Sequence, residues 1–283
     1  MIHIVCDSTC DLPKELAAER GITILPLHVF LGDEEYLDGV NIEPKDLYAW
    51  SDANKSTPKT SAIGIEDTMN TFRELLGETD EIIAFPISET MSTSGNVMRL
   101  AAEELEASER VSVVDSMSLS SGIGLLALEA LDKVKEGFSR GEIVSYLEEI
   151  RPRVRASFVI NELTYLHRGG RCSAVAALAG SILKLHPEIN VIDGKMVPGK
   201  KYRGSFDKAV ADYVKDRTEA FTQAKPDRIF ITDSGNCDDY VAAILKQLRE
   251  MNRFAEIILN KAGGVISSHC GPDTLGVLFI AGE

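Results

Sequence analysis

IHIVCDSTCDLPKELAAERGITILPLHVFL, residues 2–31, passes from a short apolar run through a polar, helix-forming stretch and back to an apolar run. IHIVC reads as a strand. DLPKELAAERG reads as a helix, with Asp11 as its cap, Pro13 in the first turn and Gly21 at its end. ITILPLHVFL reads as the next strand. The alternation continues through the helices EPKDLYAW and IEDTMNTFRELLG, the strand EIIAFPI, the helix NVMRLAAEELEAS and the strand RVSVVDS, and two helical runs then reach about Arg155. Strands and helices in this order predict parallel βαβ units and a layered α/β core.

The second half has a different character. A long apolar helix follows Gly170, NVIDGKMVPGKKYRG reads as a hairpin, and SFDKAVADYVKDRTEAF reads as a helix. The strand DRIFITDS, a further helix and the closing strands AEIILNKAG and GVLFIAG complete an α+β pattern. We therefore expect two lobes, 1–156 and 157–283, with a ligand-sized cleft between them.

Bulk composition narrows the function. The 283 residues are 44% hydrophobic and 26% charged, as in a soluble globular protein, with a formal charge of −14. That charge disfavours nucleic acid, limits contact with an anionic membrane to transient encounters, and requires any anionic ligand to be captured locally. The five cysteines, Cys6, Cys10, Cys172, Cys237 and Cys270, form no CxxC pair, and their odd number suits a reducing cytoplasm. No metal-ligand spacing is present. MIHIVCDSTCDLP lacks a basic leader and a signal-length apolar core, and no run approaches a membrane span.

Four loops combine hydroxyls with strand ends or helix starts: CDSTCD, PKTSAIG, SETMSTSG and SSHCGPDT. Each fits two readings, an anion seat built on free N–H groups and the helix dipole, or an ordinary helix cap. TYLHRGGRCS, residues 164–173, adds a tandem glycine and Arg171 between an apolar strand and an apolar helix. A buried arginine needs a partner, so Arg171 meets either an anion in the cleft or a carboxylate such as Asp7 or Asp115. The helix 174–185 carries small residues suited to lining an acyl tunnel, and a helix apolar all round equally suits buried core.

The order DSTCDLP, TSAIG, ISETMSTSG, TYLHRGGRCS, ISSHCGPDTLGV resembles the DegV family of bacterial fatty-acid-binding proteins, over about residues 2–281. The resemblance implies a two-lobed α/β fold that holds one long-chain fatty acid, such as palmitate or oleate, with its carboxylate at the lobe interface and its chain in an apolar tunnel. It implies no cofactor and no catalytic residue. It also implies a separate fatty acid kinase as partner, which converts the presented acid to an acyl phosphate for phospholipid synthesis. Carried over position by position, Thr60, Ser61, Ser92 and Thr93 surround the carboxylate, while Arg171 and His269 balance its charge. Thr93 departs from the family's usual glycine. His269 can also be read as hydrogen-bonded scaffold.

Enzyme readings find less in the residues. SGIGLLA, residues 121–127, has the letters of a dinucleotide motif but lies inside a predicted helix and not at a strand-to-helix turn. Neither a Walker loop nor a GxSxG elbow occurs. A hydrolase assembled from Ser92, His269 and Asp115, or a phosphotransferase like the dihydroxyacetone kinases, remains as an alternative. Lys200, Lys201 and Arg203 form a basic island on an acidic chain, which reads as a docking site for the kinase or as a solvated turn.

Overall fold

Ile4, Val5 and Cys6 of β1 (Ile2–Asp7) have no exposed surface. A run of consecutive apolar residues is what a parallel strand covered on both faces requires. The computed structural model describes residues 1–170 and 185–282. A 3-10 turn, Ser8–Cys10, leads from β1 to α1 (Lys14–Arg20), and β2 (Ile22–Leu25) returns parallel to β1.

Two details differ from the sequence reading. Asp11 does not cap α1; it ends the 3-10 turn in the left-handed region at φ 50°, and Pro13 occupies the cap position of the helix. Its carboxylate is drawn away by partners distant in sequence, described below. The single strand expected over ITILPLHVFL is two, because Pro26 has no N–H to carry the ladder onward. β3 (His28–Leu31) turns into a small antiparallel sheet with β4 (Glu34–Leu37), then α2 (Pro44–Asn54) and β5 (Lys59–Ser61) follow. β4, with the sequence EEYL and an exposed first half, shows no apolar alternation to reveal it.

α3 (Ile65–Glu78), β6 (Glu81–Phe85), α4 (Ser94–Glu104) and β7 (Val111–Val113) complete a parallel sheet of order β2-β1-β6-β7 among the described residues. The connection from β1 runs to β2 on one side, and β6 lies on the other. A crevice therefore opens at the carboxyl ends of β1 and β6, the place where open α/β sheets bind ligands.

α5 (Ser121–Lys135) joins the two lobes. Its residues Ser121 to Ala130 are all buried, because it packs against β1 on one side and against β8 (Val154–Ile160), β11 (Ala224–Asp233) and β13 (Thr274–Ala281) on the other. Gly124 belongs to this packing: a Cβ there would stand 2.8 Å from Leu12 Cδ2. α6 (Arg140–Ile150) then leads to β8.

The second sheet has the order β10-β9-β8-β13-β11-β12 among the described residues and is antiparallel except for the β11–β12 pair. Between β8 and β9 (Leu185–Ile192) lies α7 (Thr164–Gly169), so TYLHRG is itself helical and ends at Gly170, with φ 68°. β10 (Lys195–Arg203), α8 (Phe206–Thr222), α9 (Asp238–Met251), β12 (Glu256–Lys261) and α10 (Gly264–Cys270) complete the lobe. α10 falls just after the expected strand AEIILNKAG, where the sequence reading assigned no element to residues 264–266 and a loop from Ser267. Arg171, Cys172 and the expected apolar helix up to residue 184 lie outside the described residues, and Leu185 opens β9.

Candidate functional site

Between the lobes is a cavity of about 490 Å³, within the roughly 300–1,000 Å³ of small-molecule sites. The loops after β6 and β7 form its floor through Ile87, Met91, Leu119 and Ser120. Phe158 of β8 and Thr274, Gly276 and Leu278 of β13 supply the opposite wall, the last three by the period-2 alternation of a strand. Sequence reasoning missed these residues, although the alternation was there to be read. The lining thus mixes apolar side chains with hydroxyls, and it also includes the carboxylates of Glu89 and Asp233.

Five of the six residues named from sequence line this one cavity: Thr60, Ser61, Ser92, Thr93 and His269. Arg171 lies outside the described residues. Thr60 is brought in by pairing of β5 with β3, opposite Val29, and its Oγ1 stands 2.8 Å from Nε2 of His269 in the last turn of α10. Gly169 is glycine for contact: a Cβ there would collide with Nδ1 of His269. Ser92 accepts the N–H of Ser94 at 3.3 Å and pairs with its hydroxyl at 3.0 Å, so it shapes the start of α4 while lining the cavity. Thr93, at the N-cap of α4, has a negative φ of −91°, so its backbone conformation does not call for glycine. Among the described lining residues His269 is the one basic side chain.

Asp115 is not in the lining; its carboxylate accepts the N–H groups of Glu89 (3.2 Å) and Met117 (3.0 Å). Among the described residues no group of three or more His, Cys, Asp or Glu is placed to hold a metal ion, and no helix is long and apolar enough to cross a membrane. The basic island lies on edge strand β10, where Lys200 Nζ meets Asp216 Oδ2 at 2.5 Å and Lys201 and Arg203 are exposed.

CDSTCD is the loop that does not reach the cavity. Asp7 turns inward and accepts the N–H and hydroxyl of Thr9 and, at 2.8 Å, the N–H of Ile87. Burial pushes its carboxyl up to about 6, against the pull of these hydrogen bonds, and the Asp38 charge adds to the rise. A carboxyl whose pKa is raised in the fold stabilises it below the unfolded-state value near 4, and that stability is lost as pH rises through 6. Lowering the pH from 7.5 to 5 should therefore raise the stability of the wild type over that of Asp7→Asn by about 1.4 kcal/mol, roughly 2–4 °C in Tm. Thermal melts at the two pH values check this; a constant difference would assign Asp7 an ordinary pKa.

Comparison with known proteins places this architecture. A family model described as "Uncharacterised protein, DegV family" matches residues 1–282. The chain belongs to the DegV family. A DegV domain-containing protein of Caldanaerobacter subterraneus subsp. tengcongensis is 34% identical over 98% of each chain. A DegV family protein from Thermus thermophilus, described by its fatty acid binding, superposes with a TM-score of 0.89 at 31% identity over 99% of each chain. DegV of Bacillus subtilis, described as a fatty acid binding protein, gives 0.85 at 26% identity over 99% of each chain. Of the DegV motifs in this sequence, TSAIG, ISETMSTSG and ISSHCGPDTLGV contribute to the cavity lining, whereas DSTCDLP contributes no residue to it.

Proposed function

We propose that this protein is a carrier that binds one long-chain fatty acid, with the carboxylate among Thr60, Ser61, Ser92, Thr93 and His269 and the chain along the apolar lining. Arg171 completes the charge balance in this proposal, on the strength of its DegV motif. The observation that carries the reading is a single cavity whose lining combines hydroxyls and His269 with apolar side chains such as Phe158 and Leu278. That combination suits an amphiphile. Each buried methylene contributes about 0.8 kcal/mol, so the chain supplies affinity while the hydroxyls orient the carboxylate. The fatty acid binding described for the Thermus thermophilus relative supports the ligand class.

The proposal has the protein present its ligand to a separate kinase in the cytoplasm and carry out no chemistry itself, with residues 1–156 and 157–283 as its two lobes. The motif resemblance supports the kinase. The cysteines Cys6, Cys10, Cys237 and Cys270, free and buried, fit a reducing compartment.

Protein purified from a bacterial host should carry a long-chain fatty acid at close to one per chain, seen by native mass spectrometry and identified after denaturation. Incubation of the isolated protein with ATP, magnesium and oleate should yield no acyl phosphate. Lipid-free preparations that also fail to take up palmitate or oleate would overturn the carrier reading; acyl phosphate made without a partner would make the protein an enzyme.

A further inference from the structure

The DSTCD turn has a task that lining the cavity does not explain. α10 begins at Gly263 and Gly264, with no capping side chain of its own. Its first N–H groups go instead to two carboxylates of the other lobe, Gly263 to Asp11 Oδ1 at 2.8 Å and Gly264 to Asp38 Oδ1 at 2.6 Å. The second oxygen of each is also fixed. Ser120 donates to Asp11 Oδ2 at 2.5 Å, and Ser8 donates to Asp38 Oδ2 at 2.8 Å while accepting the N–H of Leu27 at 3.1 Å.

Asp11 and Asp38 are 5% and 2% exposed, and neither forms an ion pair among the described residues. Burying two carboxylates with no ion pair among the described residues is a costly way to cap a helix that serine or asparagine could cap. The contact is close: a Cβ on Gly264 would stand 2.9 Å from Asp38 Oδ1, and one on Gly263 would stand 3.0 Å from Asp11 Oδ1. Five residues beyond Gly264, roughly 7–8 Å along a rigid helix, His269 meets Thr60 at 2.8 Å. Asp11 also holds Ser120, a cavity residue at φ 52°, in a conformation that L residues seldom adopt.

We propose that Asp11 and Asp38 are positioning residues of the head-group site: by clamping the first turn of α10 from the opposite lobe, they set where His269 stands against Thr60. The effect on ligand rests on the carrier reading; the effect on His269 does not.

The test therefore has two readouts. In ligand-free protein, the His269 imidazole nitrogen signals should shift in Asp11→Ala and Asp38→Ala. In the same variants oleate affinity should fall about ten-fold, the worth of roughly one hydrogen bond to a charged group, with methyl oleate affected no more than about two-fold. Asp11→Asn and Asp38→Asn keep an acceptor oxygen towards α10 and should stay within about two-fold of wild type. If the alanine variants do not fold, Gly264→Ala pushes the same contact apart from the other side and should give the same pair of changes. Unmoved His269 signals would overturn the proposal, as would equal losses of acid and ester or asparagine variants no better than alanine. A wild type that binds neither lipid would sink the carrier reading and leave the His269 signals to decide this one.

Discussion

Ser61→Ala is expected to weaken binding of oleate roughly ten- to a hundred-fold and to leave methyl oleate nearly unchanged if Ser61 donates one hydrogen bond to the carboxylate, worth about 1.5–3 kcal/mol. Ser61 lines the cavity at the end of β5, and its hydroxyl makes a long contact, 3.5 Å, with the Ala62 carbonyl, which leaves it available to a ligand. The ester keeps the whole acyl chain but carries no charge, so comparing the two separates reading of the head group from burial of the tail. Thermal melts run in parallel distinguish a lost ligand contact from a lost turn. Equal losses for acid and ester would mean that Ser61 supports the fold and does not read the carboxylate.

Arg228→Met should destabilise the protein by about 3 kcal/mol in urea denaturation, the lower end of what breaking a buried ion pair costs. Arg228, in β11, has 9% of its side chain exposed and faces three carboxylates: Asp132 at 2.5 Å, Glu256 at 2.9 Å and Glu129 at 3.5 Å. Asp132 and Glu129 belong to α5, so this arginine ties the shared central helix to the C-terminal sheet. Glu129 keeps Lys225 and the Tyr146 hydroxyl as partners, and Glu256 keeps Arg20, which holds the loss near the lower bound. A change below about 1 kcal/mol would show that solvent and the remaining cations replace Arg228, as at an exposed pair.

Much of the N-terminal architecture was legible because local forces and tertiary forces agree there. β1, α1 and β2 follow the order of apolar and polar runs in residues 2–25, since a strand covered on both faces must be apolar throughout and its crossover helix must not be. The hairpin of β9 and β10 was legible for a similar reason, with Asp193 and Gly194 at its turn in the positive-φ conformations such turns need. Where one strand was read and two formed, at Pro26, the rule needed was in the sequence, although the choice of a second sheet for β3 was not.

The site divides in the same way. Residue type singled out only the hydroxyl-bearing loops beside strand ends and helix starts; it was the resemblance to the DegV motifs that named Thr60, Ser61, Ser92, Thr93 and His269 within them. They could not say that residues 60 and 269 stand 2.8 Å apart, because that distance is set by α10 crossing between lobes. α10 itself was invisible: GVISSHC is rich in β-branched and hydroxyl residues of modest helix propensity, and the groups that satisfy its first turn come from residues 11 and 38. For the same reason Asp11 was read as the cap of the helix next to it. A carboxylate is assigned from sequence to the nearest N–H, whereas the folded chain assigns it to whichever N–H burial has stripped of water, and only the tertiary structure decides which that is.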